Sequence, residues 1–303
     1  MTDHCRKTGW DVSANDLIEI KDTSFCDIGY TGQGSAVFSN SASKRFNILN
    51  CVFTLCRATE IGEALRVINS PTVTLKSCSA SQRYTSTNTD DELNRWGQFF
   101  AFTGAENSQC ETHVDNVGID KCPLTTELRG QRPAFFHRCN VDFTHSNVTD
   151  SHCTYCSGFY LGDCAASVKY ILISGTSSNC VSIELENTTG SLTHITLTNI
   201  TQSDWNLSVI YYLNSTVSFE YFTLTDYNIN ELAYLFNYSL KSDTPSGGVS
   251  LNHYTIVPPF PNMGNLTSME GNETKTTDTT TEEPKGPTEE IKTPTETPTE
   301  IPK

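Results

Sequence analysis

The feature that most constrains the fold is an internal repeat of short segments in which apolar and polar residues alternate. Nine such segments, here called A strands, begin at Leu17, Phe46, Val73, Cys110, Val141, Val168, Leu192, Val217 and Val249. Their starts are 24 to 37 residues apart. A repeat of this length indicates a stack of similar units, because a single unit cannot bury its apolar face alone.

A second alternating segment, the B strand, follows eight of the nine A strands after a turn. The B strands begin at Ser35, Glu63, Gln98, Pro133, Gly158, Val181, Ser208 and Leu232. Alternation with a period of two residues predicts strands with one buried face and one exposed face. No longer segment has a convincing helical period, so a doubly wound α/β sheet is excluded.

Two all-β architectures remain: a sandwich or Greek-key barrel, and a parallel β-helix. A sandwich is expected to contain hairpin turns such as Asn-Gly or Asp-Gly, and both dipeptides are absent from the sequence. The narrow range of intervals instead favours equivalent strands stacked in parallel, about 4.8 Å apart. We therefore predict an all-β, right-handed parallel β-helix (a solenoid) of about 8–9 coils.

The repeat also predicts the domain boundaries. Residues 1–16 are expected to form an N-terminal cap or leader, 17–261 the β-helix and 262–303 a disordered tail. The tail is rich in Thr, Pro and Glu and cannot bury a core. The core is expected to contain inward-facing A-strand residues together with five B-strand aromatics, Phe100, Phe135, Tyr160, Tyr211 and Tyr234.

Short motifs within the repeat resemble those of known surface proteins. The matches are GSAV at 34–37, GEAL at 62–65, GGVS at 247–250 and FTLC at 53–56. The pattern is similar to the pectin-lyase-like β-helix surface proteins of trichomonad parasites and to the polymorphic outer membrane proteins of chlamydiae. The resemblance spans Leu17 to about Pro258. It implies a surface or adhesin-like role without an assigned chemistry.

Charge and targeting signals restrict the partners and the compartment. The net charge of −15 argues against nucleic acid, because phosphate binding needs a concentrated positive field. No apolar stretch is long enough for a transmembrane helix, and MTDHCRKTGW does not resemble a signal peptide. N-glycosylation sequons nevertheless predict an extracellular or cell-surface glycoprotein. A chain that is a fragment, or a misplaced start codon, would reconcile the sequons with a start that does not resemble a signal peptide. The sequons are at Asn147, Asn187, Asn199, Asn206, Asn214, Asn237, Asn265 and Asn272.

Parallel β-helices also include pectate lyases and polygalacturonases, so an enzyme has to be considered. Polygalacturonase-like hydrolysis needs paired carboxylates, and the family pattern is N-x-D, D-D, G-H-G and R-x-K on adjacent coils. Only Asn88-Thr89-Asp90-Asp91 resembles the first two motifs, and the other two are missing. We expect no enzymatic activity, with a carbohydrate-active enzyme as the alternative. Polygalacturonate turnover that depends on Asp90 or Asp91 would identify that alternative.

The cysteines favour a structural role. Cys26, Cys56, Cys78, Cys122, Cys153 and Cys180 recur near the ends of A strands, which predicts a buried ladder of thiols at one corner. Neighbouring members could oxidise if the chain is secreted. A single C-x-x-C at 153–156 lacks the second pair that a zinc site usually has. We therefore expect no metal and no cofactor.

Two long turns between A and B strands are the predicted partner-binding site. Residues 81–96 and 123–132 occur at the same point of consecutive coils, although both could also be tolerated insertions. Variable loops on a rigid scaffold commonly carry recognition, and Arg, Tyr and Trp anchor interfaces. We predict a non-catalytic scaffold that binds a protein or glycan through Arg83, Tyr84, Arg95, Trp96, Arg129 and Arg132.

Overall fold

The chain folds into stacked parallel β-strands in a computed structural model. The structure describes residues 5–10, 12, 15–30, 32–58, 64–81, 96–122, 132–153, 156–178, 181–202, 209–228, 236–238, 249–256 and 269–271. In chain order the strands are β1 (Cys5–Arg6), β2 (Leu17–Lys21), β3 (Ser24–Cys26), β4 (Gly29–Tyr30), β5 (Val37–Asn40), β6 (Arg45–Leu49), β7 (Val52–Thr54), β8 (Arg57–Ala58), β9 (Leu65–Ile68), β10 (Thr72–Lys76), β11 (Ser79–Ser81), β12 (Trp96–Thr103), β13 (Cys110–Asp115), β14 (Gly118–Asp120), β15 (Arg132–His137), β16 (Cys139–Thr149), β17 (His152–Cys153), β18 (Cys156–Gly162), β19 (Ala165–Ser174), β20 (Ser177–Ser178), β21 (Val181–Glu186), β22 (Thr189–Gln202), β23 (Ile210–Leu213), β24 (Thr216–Asn228), β25 (Phe236–Tyr238), β26 (Val249–Ile256) and β27 (Met269–Gly271).

Two long parallel stacks build the solenoid. The A strands pair in the order β2–β6–β10–β13–β16–β19–β22–β24–β26. The B strands pair in the order β5–β9–β12–β15–β18–β21–β23–β25. Every strand that the alternation predicted is therefore present, and the all-β parallel solenoid is confirmed.

Each A segment bends at a corner that the sequence did not predict. The corner residues have positive φ, and they stack in register along the solenoid as Asp22, Asn50, Ser77, Asn116, His145, Tyr170, His194, Tyr221 and His253. Their backbone N–H groups bond to the next turn, as when Asp22 donates to the Leu49 carbonyl at 3.1 Å. A further stack, β1–β3–β7–β11–β14, continues after this corner. Each turn therefore has more than two straight sides.

The core lies between the A and B stacks and is built around phenylalanine rings. Phe143 is fully buried, and its ring centroid lies 5.6 Å from that of Phe136 and 5.7 Å from that of Phe159. Stacking equivalent rungs places apolar side chains directly over one another, so the core is continuous along the axis. Removing one ring therefore affects the turns on both sides.

The predicted orientation of three B-strand aromatics was wrong. Phe100 belongs to the main core, but Phe135 and Tyr160 form a separate cluster with Ala101 on the other face of the B sheet. Tyr211 lies in register with them and is half-buried. Strands β15 and β18 are buried on both faces, so alternation did not show which face was inward. Tyr234 lies outside the described residues.

Both ends of the solenoid carry an added strand. At the N-terminal end β1 pairs with β3, Cys5 and Cys26 form a disulfide, and Trp10 packs against the core. At the other end β27 pairs antiparallel with β26. Strand β27 falls inside the predicted tail, 262–303. The rest of that segment lies outside the described residues.

The buried thiols occupy several corners rather than the single predicted ladder. Cys51 and Cys78 follow the first corner, and each Sγ contacts the carbonyl two residues earlier, at 3.2 Å and 3.3 Å. Cys139 and Cys164 make the same contact at the corner that follows the B strands. The Sγ of Cys122 contacts the Asp120 carbonyl in the same way after β14, whereas Cys26 is in the disulfide. Cys180 lies outside the described residues.

Serine and threonine replace cysteine at equivalent corner positions. Ser146 donates to the Thr144 carbonyl at 2.7 Å and accepts the backbone N–H of Val117 at 3.0 Å. Cys78 makes the corresponding pair of contacts, because its sulfur also accepts the N–H of Cys51 at 3.4 Å. The side chain therefore acts as a hydrogen-bonding cap that joins two turns.

Replacing Cys78 by Ser is expected to change the free energy of unfolding by less than about 1 kcal/mol, because a hydroxyl makes both contacts. Cys78→Val is the matched variant. It leaves the buried N–H of Cys51 without this acceptor and should cost about 1–3 kcal/mol. Urea unfolding of the two variants and the wild type gives the comparison. Equal stability of Cys78→Ser and Cys78→Val would contradict the capping role.

Candidate functional site

The two long turns leave and rejoin the solenoid on neighbouring strands. Ser81 and Asp120, which precede them, are paired between β11 and β14. Trp96 and Arg132, which follow them, are paired between β12 and β15. The described residues that flank segments 82–95 and 123–131 are therefore paired on neighbouring strands. This arrangement matches the prediction that they occur at the same point of consecutive coils.

The predicted contact residues divide between these segments and the strands at their base. Arg83, Tyr84, Arg95 and Arg129 lie outside the described residues. Trp96 begins β12, and its side chain is likewise outside the described part. Arg132 differs from the prediction, because it begins β15 and is buried, with 7% of its surface exposed. Its guanidinium is therefore not available to a partner at the surface.

Arg132 is held by Glu184 on the outward face of the B sheet. Its Nε and Nη2 donate to the two carboxylate oxygens of Glu184, each at 2.7 Å. The guanidinium carbon lies 4.3 Å from the ring centroid of Tyr160. The Tyr160 hydroxyl donates to Glu186 at 2.8 Å. This network joins β15, β18 and β21 and fixes the strand at which segment 123–131 ends.

Burial and charge act in opposite directions within this ion pair. Burial disfavours the charge on Arg132, but the facing Glu184 carboxylate outweighs it and holds the pKa of Arg132 above its usual value. Burial raises the pKa of Glu184, and Arg132 opposes that rise only in part. The bidentate geometry requires both groups to be ionised. Because Glu184 is fully buried against Arg132, the pair orders the turns rather than presenting an acid or base to a ligand.

Four of the predicted glycosylation sites have described side chains, and all four are exposed. Asn147 lies in β16, whereas Asn187, Asn199 and Asn214 occupy corners with positive φ. The side-chain nitrogen of Asn187 donates to Asp163 at 3.0 Å. Of the others, Asn237 lies in β25 without a described side chain, and Asn206, Asn265 and Asn272 lie outside the described residues. Exposure is necessary for glycan attachment, and glycosylation remains a prediction.

A surface column of aromatic rings follows the first corner. The His–Tyr ladder consists of His145, Tyr170, His194, Tyr221 and His253, with successive ring centroids 5.0, 4.6, 4.6 and 5.0 Å apart. Both tyrosines are nearly half exposed. All five residues have positive φ, which costs about 1–2 kcal/mol for a residue with a side chain. Ring stacking contributes about 0.5–1.5 kcal/mol per pair and offsets much of that strain.

The ladder begins at an open groove on the outer surface of the A sheet. The groove has a volume of about 550 Å³ and lies beside the first corner. Its lining includes Ser77, Ser79, Asn116, Gly118, His145 and Asn147. A second depression shares Ser79, Gly118 and Asn147 and extends the groove towards Thr149. Hydroxyl and amide groups therefore surround the open space on the described surface.

Sequence reasoning did not find the ladder, although the signal was present. The ladder positions occur in THS, KYI, THI, EYF and NHY, each in the middle of an A segment. Aligning those segments would have placed a His or Tyr at the same position in five consecutive turns. The A strand was treated as one straight element, so its outward corner was not considered.

No family model, curated protein or solved structure matches this chain. The similarity to pectin-lyase-like surface proteins therefore depends on the repeat motifs alone. The described residues include no helix that is long and apolar enough to cross a membrane. Among the same residues, no group of three or more His, Cys, Asp or Glu side chains is arranged to hold a metal ion.

Proposed function

We propose that the protein is a non-catalytic, adhesin-like or antigenic scaffold at the cell surface or in secreted form. It binds a protein or glycan partner through segments 82–95 and 123–131. The observation that supports this most directly is the pairing of Ser81 with Asp120 and of Trp96 with Arg132. Two insertions anchored on adjacent strands can form one continuous binding surface.

The rigid base of the segments supports the same proposal. The ion pair between Arg132 and Glu184 fixes the start of β15, so segment 123–131 ends at a defined place. A rigid scaffold lowers the entropic cost of ordering a binding loop. The remaining cationic candidates, Arg83, Arg95 and Arg129, stand out on a chain with a net charge of −15. A partner with acidic groups would be attracted to this patch.

Replacing residues 83–95 by a short Gly-Ser turn tests the proposal. We expect the fold to be retained and attachment to host-cell or extracellular-matrix preparations to fall at least tenfold. The control replaces 229–231, in the corresponding connection between β24 and β25, in the same way. Thermal unfolding checks both variants. Unchanged attachment by a folded 83–95 variant, or an equal loss in the control, would refute binding through these segments.

An assay of the purified protein tests the enzymatic alternative. Asp90 and Asp91 lie outside the described residues. Measurable polygalacturonate turnover that is lost in Asp90→Asn or Asp91→Asn would favour an enzyme over the scaffold.

A further inference from the structure

We propose that the groove at the first corner is a second ligand site, beside the strands from which segments 82–95 and 123–131 leave the solenoid, and that it binds neutral sugar rings. The groove has a volume of about 550 Å³ and is open to solvent along the A sheet. Its floor, its end wall and its polar rim each have an identifiable structural origin. Together they favour a hydroxyl-rich, uncharged ligand.

The floor is a local loss of side-chain bulk in one column of the sheet. Val52, Ser79, Gly118, Asn147 and Leu172 occupy the same register on five successive turns. Val52 and Leu172 are bulky and are 42% and 37% exposed. Ser79 and Gly118, on adjacent turns between them, leave a depression. The sheet is regular, so the depression results from side-chain size and not from a distorted backbone.

The end wall is an aromatic ring held in a fixed orientation. The Nδ1–H of His145 donates to Asp115 at 3.1 Å, and Tyr170 stacks on one ring face with centroids 5.0 Å apart. Both stacked rings, His145 and Tyr170, line the groove next to Asn116. The bond to Asp115 leaves Nε2 as the acceptor in the neutral ring. An oriented ring beside a polar groove is suited to stacking against a sugar ring.

Asp115 itself is fixed by neighbouring donors. The Lys76 ammonium is the main cause of the lowered pKa of Asp115, and the hydrogen bonds from His145 and Thr144 act in the same direction. Asp115 therefore stays ionised and is an acceptor that orients the His145 ring. The ring is pre-organised before a ligand arrives, which reduces the entropic cost of binding.

The rim determines the chemical class of the ligand. Ser77, Asn116 and Asn147 supply hydroxyl and amide groups, which can donate and accept hydrogen bonds. Asp120 lines the adjoining depression but is paired with Lys121 at 2.9 Å, so the net charge of −15 on the chain as a whole sets the sign of the local field. An acidic sugar would be repelled, whereas a neutral sugar satisfies the polar rim without a charge. The ligand is therefore a neutral oligosaccharide.

Filling the floor is the sharpest test. A Cβ added at Gly118 would lie 3.2 Å from the Asn147 side-chain oxygen and 3.9 Å from the Ser79 Cβ, so a larger side chain fits after a small shift of an exposed amide. Leu172 shows that this column accepts leucine. We expect Gly118→Leu to remain folded and to weaken binding at least tenfold. Thr196→Leu, on the far side of Leu172 in the same column, is the control.

Removing the end wall is an independent test. His145→Asn retains a residue that suits the corner, since Asn50 and Asn116 already occupy equivalent positions. The loss of the ring should weaken binding by about three- to tenfold. His253→Asn, at the opposite end of the ladder, is the matched control and should leave binding unchanged.

The probes are neutral hexasaccharides of glucose, mannose, galactose and N-acetylglucosamine, with hexagalacturonate as the charged comparison. Calorimetry and saturation-transfer NMR measure binding to the full chain.

Binding of at least one neutral probe supports the proposal if Gly118→Leu and His145→Asn weaken it and the two controls do not. No binding of any neutral probe, or undiminished binding by Gly118→Leu, overturns it. An N-glycan found on Asn147 of the native protein also overturns it, because that glycan would occupy the groove. Segment 83–95 is unchanged in all these variants, so the two binding proposals fail separately.

Discussion

Glu184→Gln is expected to lower the free energy of unfolding by about 3–5 kcal/mol, because it leaves the buried Arg132 charge without its carboxylate. Arg132 is 7% exposed and its guanidinium lies against the Tyr160 ring, so water cannot replace the lost partner. Denaturant unfolding followed by circular dichroism measures the change. Asp163→Asn is the control, because the ion pair between His137 and Asp163 is partly exposed. It should cost less than about 1 kcal/mol.

The double variant Arg132→Met/Glu184→Leu separates two explanations of that loss. Replacing both charges by apolar side chains removes the desolvation cost together with the attraction, so stability should return to within about 1 kcal/mol of the wild type. If the double variant were as unstable as Glu184→Gln, the pair itself would be a net source of stability. A loss below about 1 kcal/mol in Glu184→Gln would show that Arg132 is not desolvated.

Phe143→Ala is expected to destabilise the protein by about 3–5 kcal/mol, since it removes a fully buried ring and leaves a cavity. The ring contacts Phe136 on the preceding B strand and Phe159 on the following one, so the cavity opens between two turns. Phe38→Ala is the control, because Phe38 is 40% exposed. It should cost about 1 kcal/mol or less.

Hydrogen exchange locates the effect of Phe143→Ala along the stack. A solenoid turn depends mainly on its immediate neighbours. We therefore expect faster exchange in β15, β16 and β18, with little change in β2 and β6. Uniform acceleration along the whole chain would show that the stack unfolds as one unit.

The strands were predictable because alternation depends directly on which face is buried. All nine A strands and all eight B strands were found from this pattern, although β15 and β18 are buried on both faces. The corners were not found. A bend at His145 or Tyr170 carries no glycine or proline, and its positive φ is stabilised by stacking between turns. Local sequence patterns do not contain that information.

The role of Arg132 was mispredicted for a related reason. From the sequence it closes a polar turn and resembles an exposed interface anchor. Its partner Glu184 is 52 residues away, and they meet only because β15 and β21 both pair with β18. The groove was unpredictable in the same way, because Ser79 and Gly118 are 39 positions apart in sequence but adjacent in register. Both features depend on the register between turns.

The direction of the backbone hydrogen bonds has a mechanical consequence. In the A and B stacks these bonds join one turn to the next, so they run along the solenoid axis. Tension applied to the two ends would load them in series, and turns would peel away one by one from either end. Leu197 and Leu224 are equivalent residues 27 positions apart, so each released turn would add roughly 90 Å of extended chain. Under such tension the protein would lengthen in discrete steps rather than break at once.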